Sequence, residues 1–293
     1  MAEPPLCAAP DPRPRKPRTV FPPLSCDCHA HILGPKSDYD YAPERIYTPP
    51  DALLPDYLEM LGTLGIERAV LVQPSVYGTD NTVMIEALAD AGPRCRGVAV
   101  VDEAVSDDEL ARLDQAGVKG IRFNLVDVAD PLGGMPLPAM TRLGERIEPL
   151  AWHVEVLIHV DEFLDLDAMF ADFPVDLVVG HMGYVRRDQD TGAAGFQALL
   201  RMVRAGRCWV KFTAPYRISS GDMPYEDVAP CAKALIHAAP DRMVWGTDWP
   251  HVMVTKPMPN DGDLCDLLAD WIPEPELRKQ VLVDNPAKLY GFD

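Results

Sequence analysis

Two histidines one residue apart, His29-Ala30-His31, are the first residues in this chain able to do chemistry together. On an extended strand, side chains two apart share a face, so both imidazoles point the same way. That spacing supplies two ligands to one metal ion, or two donors to one carbonyl oxygen. The bland alternative is a pair of core histidines satisfied by backbone groups. His159 and His181 each close an apolar stretch, Val156-Leu157-Ile158 and Leu177-Val178-Val179-Gly180. Asp248 stands in Trp245-Gly246-Thr247-Asp248-Trp249-Pro250-His251. A carboxylate among bulky apolar groups loses hydration and its proton affinity rises, which suits a general base. A helix cap is the other reading, but Trp249-Pro250 follows instead of a helix.

Arg122, in Gly120-Ile121-Arg122-Phe123-Asn124, sits in an apolar run and must meet an anion, from the protein or from a substrate. Arg217, in Ala214-Pro215-Tyr216-Arg217-Ile218-Ser219, is the natural second anion clamp unless it is a surface charge. In Ser75-Val76-Tyr77-Gly78-Thr79-Asp80-Asn81, Ser75 or Tyr77 can touch a substrate, while Thr79 or Asp80 caps the helix that follows. Ser75 lacks a Gly-x-Ser-x-Gly elbow, so serine-hydrolase chemistry is not expected. His251 lies near enough to Asp248 to matter. His153 and His237 read as structural.

These residues need elements to carry them. From Leu24 onward, short apolar runs occupy 24–31, 68–75, 96–102, 118–125, 153–160, 175–183, 208–215 and 242–250, most of them apolar on both faces. Between them lie stretches of helical period, such as 106–117, opened by the capping box Ser106-Asp107-Asp108-Glu109 and closed by Gly117. Eight strands alternating with helices predict an α/β fold, a single (β/α)8 TIM barrel over residues 23–293. A doubly wound open sheet would carry a Gly-rich phosphate turn after an early strand, and none is present. Nearly every run ends in a polar group: His29 and His31, Ser75, Asp102, Arg122 and Asn124, His159, His181, Lys211, Asp248. Such groups are costly to bury without partners, and in a parallel barrel all those ends converge on one face. The segment 34–50, with Tyr39, Tyr41 and Tyr47, is then a loop over the barrel mouth.

Composition narrows the function. The chain has 293 residues and a net charge of −18, with a pI near 4.7. Such a surface repels phosphate backbones and anionic bilayers, so neither nucleic acid nor membrane is an expected partner. An anionic substrate then needs arginines placed at the site. No apolar run approaches the roughly 18–20 residues of a membrane-spanning helix. The seven cysteines are scattered without a CxxC, as reduced thiols of a cytoplasmic protein would be. Cys26 and Cys28 alternate with Asp27 and His29 and are expected on the opposite strand face. Residues 1–22 hold repeated prolines with Arg13, Arg15, Lys16 and Arg18, which predicts an extended arm laid on the body, or disorder.

At these motifs the sequence resembles the amidohydrolase superfamily, in its amidohydrolase 2 branch of small-lactone enzymes. The resemblance runs from about Pro22 to the end, through DCHAHILGP, SVYGTDN, RGVAVVD, GIRFN, AWHV, GHMG, WVKF, VWGTDWPH and DNPAKLY. It implies a hydrolase that opens a small carboxylate-bearing lactone of pyrone, muconolactone or sugar-acid type. His29 and His31 become the first-strand pair, His181 the sixth-strand histidine and Asp248 the general base. Tyr47, Ser75, Arg122 and Arg217 fall at substrate-contacting positions. The set His29, His31, His159 and Asp248 resembles the one-metal ligand set of related decarboxylases, with His181 as a nearby acid/base, and zinc is the expected ion. The branch's pyrone-dicarboxylate lactonases work without metal and carry a tyrosine on strand five, so metal-free catalysis stays open. Those enzymes also use further arginines after strands four and six. Here the strand-four loop reads Val126-Asp127-Val128-Ala129-Asp130, and Tyr184 follows His181-Met182-Gly183 with Arg186 and Arg187 displaced, which argues against a substrate with two carboxylates. A metal-dependent decarboxylase of an aromatic or muconate-type acid and a lactone isomerase are the alternatives on the same scaffold. The expected partner is a small anionic lactone, and a homo-oligomer stays open.

Overall fold

The structure, a computed structural model, describes residues 3–128, 134–186 and 190–293. Each of the eight apolar runs meets a strand, the third starting one residue before its run: β1 (Cys26–Ala30), β2 (Arg68–Val72), β3 (Cys95–Ala99), β4 (Val118–Asn124), β5 (His153–Leu157), β6 (Leu177–Val179), β7 (Cys208–Phe212) and β8 (Met243–Trp245). They pair in parallel in the order β1 to β8, each with its sequence neighbour. Helices α1 (Leu54–Leu64), α2 (Thr82–Ala91), α3 (Asp107–Gln115), α4 (Leu137–Ile147), α5 (Leu166–Met169), α6 (Ala194–Arg204), α7 (Pro215–Ile218), α8 (Ala229–Ala238) and α9 (Asp261–Trp271) alternate with them, and α10 (Pro275–Lys279) and α11 (Asn285–Tyr290) follow. This is the expected (β/α)8 barrel. No helix among the described residues is long and apolar enough to cross a membrane.

Strands apolar on both faces serve two cores. Val70, Val72, Val98, Val178, Trp209 and Val244 pack inside the barrel, where Tyr290 and Phe292 at the end of the chain join them. The outward side chains pack under the helices in a larger cluster. Ser106 caps α3 as expected, its Oγ accepting from Glu109 N at 3.1 Å. The reciprocal half of the box is absent, because the Glu109 carboxylate pairs with Arg112 instead.

The ring closes at β1 and β8 through irregular contacts. His31 N donates to Trp249 O at 2.8 Å and Asp248 N to His29 O at 2.9 Å. Asp27 supplies the rest, accepting from Thr247 N at 2.9 Å, Thr247 Oγ1 at 2.6 Å and Tyr57 of α1 at 2.9 Å. A Cβ on Gly246 would come within 2.6 Å of His29 N, so only glycine lets the two strands approach. The same seam corrects the alternation expected of β1. Its register slips between Asp27 and Ala30. Cys26 and Cys28 line the inner core, while the His29 ring also turns inward. A bulge, which strict alternation ignores, puts both sets on one side.

The N-terminal arm lies on the body. Leu6 forms a parallel bridge with Thr48, Arg15 pairs with Asp263 and Asp266, and Arg18 pairs with Asp266.

Candidate active site

At the C-terminal mouth of the barrel, His29, His31 and Asp248 offer ligand atoms that all lie within 4.8 Å of one another, and all three are buried. His29 Nε2 faces Asp248 Oδ1 at 3.5 Å and has no hydrogen-bond partner. His31 Nδ1 is 2.7 Å from Val72 O, which leaves its Nε2 for the site. His181 Nδ1 is 2.6 Å from Thr213 Oγ1, and its Nε2 lies 3.9 Å from Asp248 Oδ1. Burial, then the nearby Lys211, His31, His181 and Arg122, holds His29 well below the usual imidazole pKa. Burial and the arginines act likewise on His181, and burial with Arg122 brings His31 down to about 3. All three rings are therefore neutral near pH 7.

Asp248 adopts φ 66°, a left-handed conformation rare outside glycine, and His181 and Ala214 at the ends of two other strands do the same. Side chains held in this way at a site are strained in service of position. Burial raises the Asp248 pKa, against the opposing pull of Arg217 and of Tyr216. Tyr216 Oη donates to Asp248 Oδ2 at 2.5 Å. With its proton so used, Tyr216 can only accept from His251 Nδ1, 3.2 Å away, while His251 Nε2 sits 3.0 Å from Asp261 Oδ1. Burial opposes a charge on His251, yet Asp261 and Asp248 outweigh it and its pKa is raised. Asp261, His251, Tyr216 and Asp248 form one buried chain that fixes Asp248 Oδ2 and leaves Oδ1 towards the imidazoles.

Beneath His29 lies a second charged layer. Glu155 Oε2 is 2.6 Å from Lys211 Nζ, and both side chains are buried. His29 Nδ1 stands between Lys211 Nζ at 3.3 Å and Glu155 Oε1 at 3.5 Å. Pairing with Glu155 leaves the Nε2 lone pair free for a ligand, whereas pairing with Lys211 puts the ring proton on Nε2 as a donor. The donor set thus fits a single divalent cation: two imidazole nitrogens and a carboxylate oxygen, with one nitrogen orphaned in the interior.

Other expected residues take varied places. Arg122 is buried, with Nη1 donating to Gln73 O at 3.3 Å and Nε 3.8 Å from Glu155. Tyr47 is buried and shares a side-chain hydrogen bond with Ser75, within the fields of Asp127, Arg122 and Arg217. Arg217 pairs with Asp127 at 3.0 Å. The Tyr77 hydroxyl accepts from Gly34 N at 2.8 Å and braces the mouth loop. His159 stays outside the metal-competent group, with Nδ1 2.8 Å from Tyr184 O and its ring against Tyr184. Asp102 and Asn124 cap local turns through Ala104 N, Val126 N and Asp127 N, and so leave the converging set. Arg186 pairs with Asp161 and Glu162. Ala129, Asp130 and Arg187 lie outside the described residues.

A cavity of 230 Å³ opens beside the site, lined by Asp127, Tyr184, Tyr216, Arg217 and residues 253–256. A larger hollow of 540 Å³ lies on the barrel flank between α5, α6 and the strands, and of the charged residues lining it Arg201 pairs with Asp167 and Arg207 donates to Pro174 O. The buried imidazoles and carboxylate gather at the mouth.

Glu155, Tyr216 and Thr213 enter the site without having been singled out from sequence. Glu155 did carry a signal: an acid in a strand that is apolar apart from His153 is the same argument that selected Arg122.

The sequence matches the amidohydrolase family over residues 26–292. This chain belongs to that family. It is 36% identical over 286 residues to a 2-pyrone-4,6-dicarboxylate hydrolase of Comamonas testosteroni, covering 94% of this chain and 93% of that one. It is 36% identical over 289 residues to a 4-sulfomuconolactone hydrolase of Rhizobium radiobacter, covering 98% and 96%. Among solved structures, the apo crystal structure of Agrobacterium tumefaciens ATU3138 superposes with a TM-score of 0.85 at 28% identity, covering 94% of this chain and 99% of that one.

Proposed function

We propose that this chain hydrolyses a small carboxylate-bearing lactone of pyrone, muconolactone or sugar-acid type, with Asp248 as the general base. The observation that carries the reading is Asp248 itself. Its carboxylate is buried, its Oδ2 is tied to Tyr216, and its Oδ1 faces His29 and His181. The amidohydrolase relatives named for lactone hydrolysis support the substrate class.

In this mechanism Arg122, beside Tyr47 and Ser75, binds the substrate carboxylate. Asp248 Oδ1 takes a proton from the attacking water as the new C–O bond forms. Charge develops on the carbonyl oxygen, where preorganised donors count most: neutral His29 and His181 donate there when their protons sit on Nε2, whereas His31, whose Nδ1 donates to Val72 O, presents only a lone pair. Collapse breaks the ring C–O bond, and Asp248 returns its proton to the leaving oxygen. We further propose that His29, His31 and Asp248 hold one divalent ion, zinc, which when bound polarises the carbonyl and acidifies water. His159 would join as a fourth ligand only after turning away from Tyr184 O.

Asp248→Asn is expected to lower kcat by about three orders of magnitude or more with the circular dichroism spectrum unchanged. Near-normal turnover in that variant would remove Asp248 as the base. Reaction in ¹⁸O-labelled water, followed by mass spectrometry of the product, tests the reaction class. Label in the new carboxylate is expected, and an unlabelled product would point to isomerisation or decarboxylation instead. Elemental analysis of protein purified without added metal, then chelation and assay, tests the zinc proposal: stoichiometric metal whose loss abolishes turnover is the expected result.

A further inference from the structure

Among the described residues, three cations reach the buried centre, Arg122, Lys211 and Arg217, and the three carboxylates that face them are Glu155, Asp127 and Asp248. Lys211 is committed to Glu155 at 2.6 Å. Arg217 is committed too: Nη1 is 3.0 Å from Asp127 Oδ2, Nη2 donates to Val252 O at 2.9 Å, and Nε faces Asp248 Oδ2 at 3.7 Å. The Arg217 and Asp127 side chains are 7% and 12% exposed, so their pair is an internal one rather than a solvated surface contact. It forms part of the wall of the mouth cavity. Lys256, on the same wall, donates to the carbonyls of Ser219 and Gly221. Arg122 differs. Its nearest carboxylate oxygen is 3.8 Å away, against 3.0 Å for Arg217, and its Nη1 donates to the neutral Gln73 O at 3.3 Å; the Nε of each arginine lacks a hydrogen-bond partner.

We propose that Asp127 is a specificity-determining residue. Its carboxylate occupies the place at Arg217 that a second substrate anion would take, so the site accepts ring substrates with one carboxylate, at Arg122, and rejects those with two. A second anionic group brought to Arg217 would lie against the Asp127 oxygens, and like charges at contact in a water-poor cavity repel strongly. The inference rests on the lactone reading for the reaction, but concerns binding alone.

Calorimetric titration with two stable ring acids, pyridine-2-carboxylate and pyridine-2,4-dicarboxylate, tests it on the full chain. Wild-type protein is expected to bind the monoacid at least about tenfold more tightly. Asp127→Asn, which keeps the shape and loses the charge, is expected to close or invert that ratio, and Asp127→Glu to keep it. A wild-type preference for the diacid overturns the proposal whatever the variants do. So does failure of both acids to bind, or a ratio in Asp127→Asn within about twofold of wild type. No bond is broken in this assay. Absence of turnover on every lactone would therefore sink the hydrolase reading and leave the role of Asp127 to be decided by the binding ratio.

Discussion

At the scale of single residues, the two oxygens of one carboxylate meet different partners. Tyr216 holds Asp248 Oδ2, and Oδ1 is left towards the imidazoles. Behind Tyr216, His251 with a proton on each ring nitrogen satisfies both Tyr216 and Asp261. This has a consequence for stability. The folded pKa of His251 lies above its unfolded value of about 6.5. Its contribution is then fully present below pH 6.5 and is lost as pH rises through the folded value. Melting temperature is expected to decline as pH rises above about 6.5. His251→Gln should flatten that slope while lowering the melting temperature at pH 6; an unchanged slope would show that other groups set it.

At the scale of elements, the weak join of the barrel is also where the site is built. β1 and β8 close through Asp27, whose carboxylate accepts from Thr247, Tyr57 and His29 N. Burial pushes its pKa up to about 6 despite these hydrogen bonds. Asp27→Ala would strand those donors inside the protein, and unsatisfied buried groups cost about 1–3 kcal/mol each. The variant is therefore expected to lose at least about 3 kcal/mol of stability, read as a fall in the urea midpoint. A loss under about 1 kcal/mol would mean that water replaces the carboxylate at the seam. All eight strands were legible from apolar runs, because a strand buried on both faces leaves a continuous signature. The bulge in β1 was not, since a local slip changes no residue type. His159 shows the same gap: its strand end was readable, but the turn at Tyr184 that captures its ring was not.

At the scale of the molecule, the arm links one edge of the barrel to the mouth. Thr48, next to Tyr47, pairs with Pro5 and Cys7, and Met253 N donates to Cys7 Sγ at 3.4 Å. Farther along, Arg15 and Arg18 neutralise Asp266, whose side chain is only 5% exposed. In a chain of net charge −18 these are scarce cations placed against a buried acid. Removing residues 1–19 is expected to cost about 1–3 kcal/mol of stability. It should raise KM more than it lowers kcat, since it loosens the Tyr47 loop and spares Asp248. An equal fall in kcat would mean that the arm reaches the reacting centre.

The pattern of residues by itself determined the barrel and the gathering of His29, His31, His181, Arg122 and Asp248 at its mouth. Periodicity and strand-end polarity are local properties, written in residue type and spacing. Only tertiary structure decided which charges meet. Arg217 looks like an anion clamp until Asp127, from another loop, is seen to neutralise it. Glu155 and Lys211 acquire meaning only when β5 and β7 bring them together beneath His29. Pairing across the ring depends on distances between segments far apart in the chain, and no short stretch of sequence records those distances.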